Sequence, residues 1–486
     1  MNKTSFGGIT LLGLGPGDPA LLTRQAWELL NSIDKIYLRT RQHPVVAGFP
    51  PGLSALSFDD LYVRADNFEE VYTQIIDRVI ELGKSPEGVV YAVPGHPFVA
   101  EATCPEIARR ARQQGIPVRV LEGISFIEPC LTALELDPFP QLALIDALEL
   151  ASDHIPPFPP TSPAIVAQLH SRAVASDVKL TLMSLYPDEH PVKLVHAAGT
   201  SAEIVEAVPL YQIDRSQHIG LLTALYLPPL GAATSFEAFQ EVIAHLRAPE
   251  GCPWDREQTH QTLRSHLIEE CYEVLDALDA GDPQAMREEF GDLLLQIVLH
   301  AQIASEYGEF SMADVLESIH TKIVHRHPHV FGDLALKDVQ GVLENWERLK
   351  EAERNANGKT EASLLDGVAR ALPALVQAQE YQRRAGRVGF DWLDIQGVID
   401  KVYEELKEFH AARASDERAA EIGDLLFAVV NLARWVEVDA ESALREANAR
   451  FHSRFAQIEA AARAQNRSIT DLSLDEMEAL WQAAKK

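Results

Sequence analysis

Two pairs of carboxylates, each pair spaced three residues apart, occur twice in this chain. Glu270 and Glu273 precede Glu289 and Asp292, and Glu405 and Glu408 precede Glu421 and Asp424. On a helix, residues three apart share one face, so each pair aims at one point. Four carboxylates converging in a bundle repel one another unless a cation joins them. An all-oxygen ligand set suits Mg²⁺, or Mn²⁺, better than zinc or copper. A lone Glu-x-x-Glu is more often a solvated acidic face. Here the second pair carries the same Gly-Asp-Leu-Leu flank in both places, and each Asp directly precedes an apolar run. That is a costly place for an unpartnered carboxylate.

Basic residues follow each acidic set. Arg450 and Arg454 lie four apart, and Lys485 stands four past Trp481. Guanidinium forks and an ammonium suit the phosphates that a metal does not reach. The indole of Trp481 has two readings, a base-stacking surface or a cap on the bundle core. Asn431, seven residues past Asp424, lies two turns along the same face, where the first copy has Leu299.

These residues need helices to position them, and helical periodicity runs from about residue 231 to the end. The pattern predicts helices over 263–278, 283–307, 310–327 and 339–355, and again over 372–385, 395–412, 416–436, 442–464 and 475–485. The repetition extends beyond the acids. Lys322 and Arg326 correspond to Arg450 and Arg454, and Trp346 and Lys350 correspond to Trp481 and Lys485. Four correspondences in one order describe a duplicated module, with 350–360 as the connector. Glu257-x-x-His260 and Glu317-x-x-His320 have the spacing of di-iron bundles, but neither recurs in the second copy. His325, His327 and His329 alternate around Pro328 and read as a helix-ending turn.

The first 230 residues differ. Short apolar runs at 9–14, 35–38, 88–93, 117–121, 164–167 and 179–184 predict strands, with helices over 20–32, 68–82 and 101–114 between them. Such alternation predicts an α/β fold with a largely parallel sheet. Three turns at strand ends are glycine-bearing: Gly13-Leu-Gly15-Pro16-Gly17-Asp18, Pro94-Gly95-His96-Pro97, and Gly123 leading to Ser125. Loops at the carboxyl ends of strands are where an open α/β sheet places its ligand.

The 486 residues allow two or three domains. A formal charge of −29 opposes nucleic-acid or anionic-membrane binding, but leaves room for a small phosphorylated ligand bridged by a cation. The four cysteines form no Cys-x-x-Cys pair. No apolar run reaches the ~20 residues of a membrane span, so a cytoplasmic protein is expected.

Gly251-Cys-Pro-Trp-Asp255, Glu269-Glu-Cys-Tyr-Glu273, Arg326-His-Pro-His-Val-Phe331, Val388-Gly-Phe-Asp-Trp392 and the run from Gly423 to Ala433 resemble the MazG family of all-α nucleoside triphosphate pyrophosphohydrolases. The resemblance covers two modules, 237–355 and 365–486. It implies Mg²⁺-dependent cleavage between the α- and β-phosphates, with Glu405 or Glu408 accepting the proton of the attacking water. In two-module relatives the second copy is regarded as the active one. The glycine-bearing turns, with Asp146-Ala-Leu-Glu149 and Leu225-Tyr-Leu-Pro-Pro229, are similar to the tetrapyrrole (corrin/porphyrin) methylases over 1–230. That similarity implies S-adenosylmethionine near Gly13, Gly15, Pro16, Gly17, Pro94, Gly95 and Ser125. The family's Gly-Asp-Pro turn reads Gly95-His96-Pro97 here, and its Tyr-Asp is replaced around Tyr37-Leu-Arg39-Thr40, so no methyl acceptor is assigned. The expected architecture is multidomain, an α/β methylase-like domain followed by a duplicated all-α MazG-like module. Two alternatives stand beside hydrolysis: methyl transfer as the main activity, or the N-terminal domain as a non-catalytic ligand sensor. Single helical modules leave an apolar face uncovered, so a homodimer is expected.

Overall fold

All five residues of strand β1 (Ile9–Gly13) are buried. An uninterrupted apolar run suits a strand covered on both faces, as in the middle of a parallel sheet. In the computed structural model, which describes residues 6–64, 67–336, 338–356 and 363–485, β1 lies between β4 (Val89–Val93) and β5 (Val118–Leu121). Strands β2 (Lys35–Leu38) and β3 (Ser54–Ser57) continue beyond β4, and every pairing in this sheet is parallel. Helices α1 (Arg24–Leu30), α2 (Asp59–Arg64), α3 (Phe68–Gly83) and α4 (Thr103–Gln113) connect and cover it. Ile9 and Leu11 pack with Ile75 and Val79 of α3 and Ile107 of α4. Leu12 and Leu14 pack instead with Ala26 and Leu30 of α1. Each such aliphatic side chain contributes roughly 1.5–3 kcal/mol by leaving water.

Helix α5 (Ile127–Leu134) leads to a second sheet of β6 (Ala143–Asp146), β7 (Ala164–Ala167), β8 (Pro191–His196), β9 (Ile204–Pro209) and β10 (Thr223–Leu227). Its order is β6-β7-β10-β8-β9. Only β6 and β7 pair in parallel; the other three pairings are antiparallel. The expectation of a largely parallel sheet therefore holds for the first sheet and fails for the second. Helices α6 (Ala147–Ser152) and α7 (Arg172–Met183) cover one face, and Cys130 and Leu134 of α5 pack with Ile165, Val195 and Ala224. The strand expected at 179–184 is the end of α7. Ser171 caps the helix upstream, and Ala175, Val178, Thr181 and Leu182 bury one helical face, so the local alternation yields to tertiary packing.

The chain forms two compact units, Met1–Glu257 and Gln258–Lys486. Helices α8 (Phe236–Arg247) and α9 (Pro253–Glu257) thus fall within the first. The second unit is helical throughout: α10 (Arg264–Ala280), α11 (Pro283–Glu306), α12 (Met312–Arg326), α13 (Pro328–Phe331) and α14 (Val339–Ala356), then α15 (Ala374–Arg387), α16 (Ile395–Ala411), α17 (Ser415–Trp435), α18 (Ala440–Ala464) and α19 (Leu474–Ala484). Residues 357–360 of the expected connector lie outside the described residues.

Two tight turns set the geometry of the repeat. Helix α10 ends at Gly281, whose φ of 64° is the left-handed conformation glycine tolerates, and Asp282 caps α11 ahead of Pro283. Between α16 and α17, Glu417 accepts from the backbone N–H groups of Arg413 and Ala414. Connections this short force antiparallel helix pairs.

Candidate functional site

The antiparallel pairs bring the glutamates together. Glu270 and Glu273 of α10 meet Glu289 of α11, and Glu405 and Glu408 of α16 meet Glu421 of α17; in each trio carboxylate oxygens lie within 4.8 Å of one another. Mg²⁺ binds oxygen at about 2.0–2.1 Å, so opposite ligands stand about 4 Å apart, and the spacing fits. Burial and the carboxylates of Asp292 and Glu273 raise the Glu270 carboxyl above its usual range. Burial, then Glu273 and Asp292, do the same to Glu289. In the second copy burial, then Glu408, Glu405 and Asp424, raise Glu421. Like charges so arranged are relieved by a cation. Asp292 and Asp424 act on the trios through their charge, while standing outside the 4.8 Å groups.

The copies differ at one position that the sequence reading passed over. Lys401 Nζ lies 2.7 Å from Glu405 Oε1 and 3.0 Å from Glu404 Oε1. The Glu405 and Glu404 hydrogen bonds push the Lys401 ammonium well above its usual range. Glu405 itself is buried, whereas Glu408 is exposed. The first copy has His266 at the corresponding place, 3.7 Å from Glu269. The signal was available in the spacing, since Lys401 stands four residues before Glu405 on one helix face.

The basic residues gather elsewhere, on the hairpin of α18 and α19. Arg454 and Lys485 lie 5.6 and 5.9 Å from the centre of the Trp481 ring, and Phe451 packs 5.2 Å from it. The first copy repeats this arrangement, with Arg326 and Lys350 at 5.7 and 5.2 Å from Trp346. Trp481 also packs against the Ile458, Ala462 and Leu472 core. Arg450 pairs with Glu446 on its own helix at 3.2 Å. Asn431 accepts from Arg434 at 2.9 Å, and Arg434 continues to Asp391, which also takes the indole N–H of Trp435. Among the described residues no hydrogen bond or ion pair joins Arg450, Arg454 or Lys485 to the glutamates. Glu405, Glu408 and Glu421 are thus grouped on one helix pair, and Arg454, Lys485 and Trp481 on another. Of the two Glu-x-x-His sequences, that of His260 ends in a histidine pair: His260 and His300 stack with their Nδ1 atoms 2.7 Å apart.

In the first unit the three glycine-bearing turns touch through backbone. Gly15 and Gly95 exchange hydrogen bonds of 3.2 and 2.8 Å. A Cβ on Gly13 would sit 2.5 Å from Gly123 N and 2.7 Å from Gly95 O, so only glycine fits there. Pro94 and Gly95 follow β4 directly. The Thr200 methyl, from the turn after β8, lies 2.7 Å from where a Gly17 side chain would start, and Pro16 lies 3.1 Å from where a Gly199 side chain would start. Ser125 is buried and donates to Glu128 at 2.5 Å. Beside Pro16, burial lowers the His43 imidazole to about 4, and its Nδ1 has no protein partner. At the ends of β2 and β4, where the methylase family's acids are missing, Arg39 pairs with the buried Glu101 and takes Tyr62 and Tyr72 as further partners.

Comparison with known proteins matches these two constructions. A family model described as the MazG nucleotide pyrophosphohydrolase domain matches residues 258–331, and one for tetrapyrrole (corrin/porphyrin) methylases matches residues 8–214. The uncharacterized protein YabN of Bacillus subtilis is 42% identical over 489 residues, covering 99% of both chains. The nucleoside triphosphate pyrophosphohydrolase/pyrophosphatase MazG of Thermotoga maritima is 42% identical over 254 residues, 52% of this chain and 97% of that one. The nucleoside triphosphate pyrophosphohydrolase of Escherichia coli K12 is 45% identical over 251 residues, 50% of this chain and 95% of its own. The uroporphyrin-III-C-methyltransferase of Thermus thermophilus, a solved structure, aligns with a TM-score of 0.38 at 21% identity over 46% of this chain and 94% of that one. The chain belongs to the MazG family, in a form that carries a tetrapyrrole-methylase domain ahead of its helical half.

Proposed function

We propose that the helical unit hydrolyses nucleoside triphosphates to the monophosphate and pyrophosphate, and that the second copy is the working site. The observation that carries this reading is the glutamate trio on a helix pair, built twice with the same spacing. Magnesium held there by Glu405, Glu408 and Glu421, with Asp424 adjacent, supplies charge neutralisation and a polarised water. The chain's own groups divide the remaining work. Lys401 fixes one oxygen of the buried Glu405, which leaves the exposed Glu408 as the better proton acceptor. Water oxygen bonds to the α-phosphorus, its proton passes to Glu408, and the bridging oxygen leaves with pyrophosphate. Arg450, Arg454 and Lys485 take the outer phosphates, and the Trp481 ring carries two of these cations.

Pyrophosphate release from a panel of nucleotides in Mg²⁺ tests this. Glu421→Ala should lower the rate at least about a hundredfold, as expected where Lewis-acid stabilisation is lost, and Glu289→Ala should leave most of it. The reverse pattern would move the active site to the first copy.

A second reading concerns the first unit alone. Gly13, Gly15, Gly95 and Gly123 bring backbone together at the strand ends without side chains of their own, which supports S-adenosylmethionine binding there, as catalyst or sensor. Calorimetry with S-adenosylmethionine decides it, and no heat of binding removes both roles.

A further inference from the structure

Three basic side chains of helix α12 converge on one carboxylate, and that carboxylate belongs to the same chain. Arg326 donates through Nε and a terminal nitrogen to both oxygens of Glu353 on α14, at 3.2, 3.2 and 2.5 Å. His325 and Lys322 add their charge around the same carboxyl, which the Arg326 hydrogen bond chiefly holds below its usual range. The pair is largely covered, with side chains 14% and 26% exposed. Arg326 also lies over Trp346, so it stands where Arg454 stands over Trp481 in the second copy. There the resemblance ends. Among the described residues no carboxylate pairs with Arg454. A carboxylate seated in a guanidinium fork presents the same planar pair of acceptors as two phosphate oxygens. Beside it runs an open groove lined by Glu317, Thr321, Lys322, His325 and Glu353.

We propose that Glu353 is the resident occupant of the first module's phosphate subsite, an internal competitor that excludes triphosphate from that module and leaves the second open. This rests on the reading above that the arginine over each indole takes phosphate. It gives the duplicated acids different fates: both trios are complete, but one lacks a vacant anion subsite. The competitor is intramolecular, so its effective concentration is fixed and high, and a free anion must displace it from a site already desolvated.

Inorganic tripolyphosphate titrated by calorimetry into the full chain tests this without reference to hydrolysis. Glu353→Gln should bind one tripolyphosphate more per chain than the unaltered protein. Adding Arg326→Ala to that variant should remove the extra site. Equal stoichiometry in the Glu353→Gln and unaltered chains, with unchanged circular dichroism, overturns the proposal. If the glutamine variant fails to fold, Glu353→Asp decides by the same count, because a side chain one methylene shorter does not span the fork. A chain that releases no pyrophosphate from any nucleotide refutes the hydrolase reading, whereas the number of tripolyphosphate sites judges Glu353 by itself.

Discussion

The carboxyls of Glu270, Glu289 and Glu421 are all held above their usual range by burial and by neighbouring acids. A carboxyl raised in the folded state binds its proton more readily than in the unfolded chain. Its contribution to stability is full below the ordinary glutamate range and is lost as pH rises through the raised value. For Glu421 the groups responsible are Glu408 and Glu405 of α16 and Asp424 and Glu417 of its own helix. Without metal, the helical unit should therefore weaken between mildly acidic and neutral pH. Added Mg²⁺ should raise the melting temperature more at pH 7.5 than at pH 5, because protons compete for the same oxygens; an equal rise at both would count against the trios as metal sites. The acids themselves were legible from sequence because a helix turns a spacing of three into one face. Glu353 was not, and Lys401 was overlooked although its spacing from Glu405 was readable. Lys401 reads as one more helical surface cation, and the reach of Glu353 to Arg326 depends on how α14 packs against α12.

At the level of elements, long periodic segments were the most readable. Helices α10, α11, α16 and α17 lie within two residues of their expected bounds, since amphipathic periodicity and caps agree there. The second sheet was largely missed. Strands β6, β8, β9 and β10 have no strong local signature, and the run that looked like a strand at 179–184 belongs to α7. What fixes these segments is pairing between distant strands. The glycine turns occupy a middle ground, visible as turns but not as a mutual contact. Gly13→Ala should test that contact. Its Cβ meets two backbones, so overpacking of about 1–3 kcal/mol is expected. The melting transition of the first unit should fall by several degrees, while pyrophosphate release by the second unit persists.

For the whole molecule, the division into two units follows the change in composition near residue 231, but the structural boundary falls at Glu257. Helices α8 and α9 are helical in sequence character, yet they belong to the first compact unit. Inside the second unit the two copies touch through Arg445, which reaches Asp276 at 2.5 Å and Asp279 at 3.1 Å and lies over Tyr272. Both copies still expose apolar rows at helical spacing. Phe290, Leu294 and Ile297 line α11, and Ile422, Leu426 and Val429 line α17. Contiguous rows of this kind are interface material, and symmetric pairing is the usual way to cover them. Sedimentation should therefore find about twice the 53.8 kDa of one chain, and Leu426→Glu should shift the protein toward the monomer. A monomer at every concentration would refute the homodimer.

The duplicated indoles have a consequence for how the protein can be watched. Each of Trp346 and Trp481 has an arginine and a lysine close to its ring, and nearby cations perturb an indole's excited state. A phosphate that draws Arg454 and Lys485 away would change the emission of Trp481. The corresponding cation over Trp346 is tethered to Glu353, so that indole should stay silent. Of the chain's six tryptophans, Trp481 should then respond to ligand and Trp346 should not, so a chain that keeps these two indoles alone would tell a module that takes ligand from one that does not.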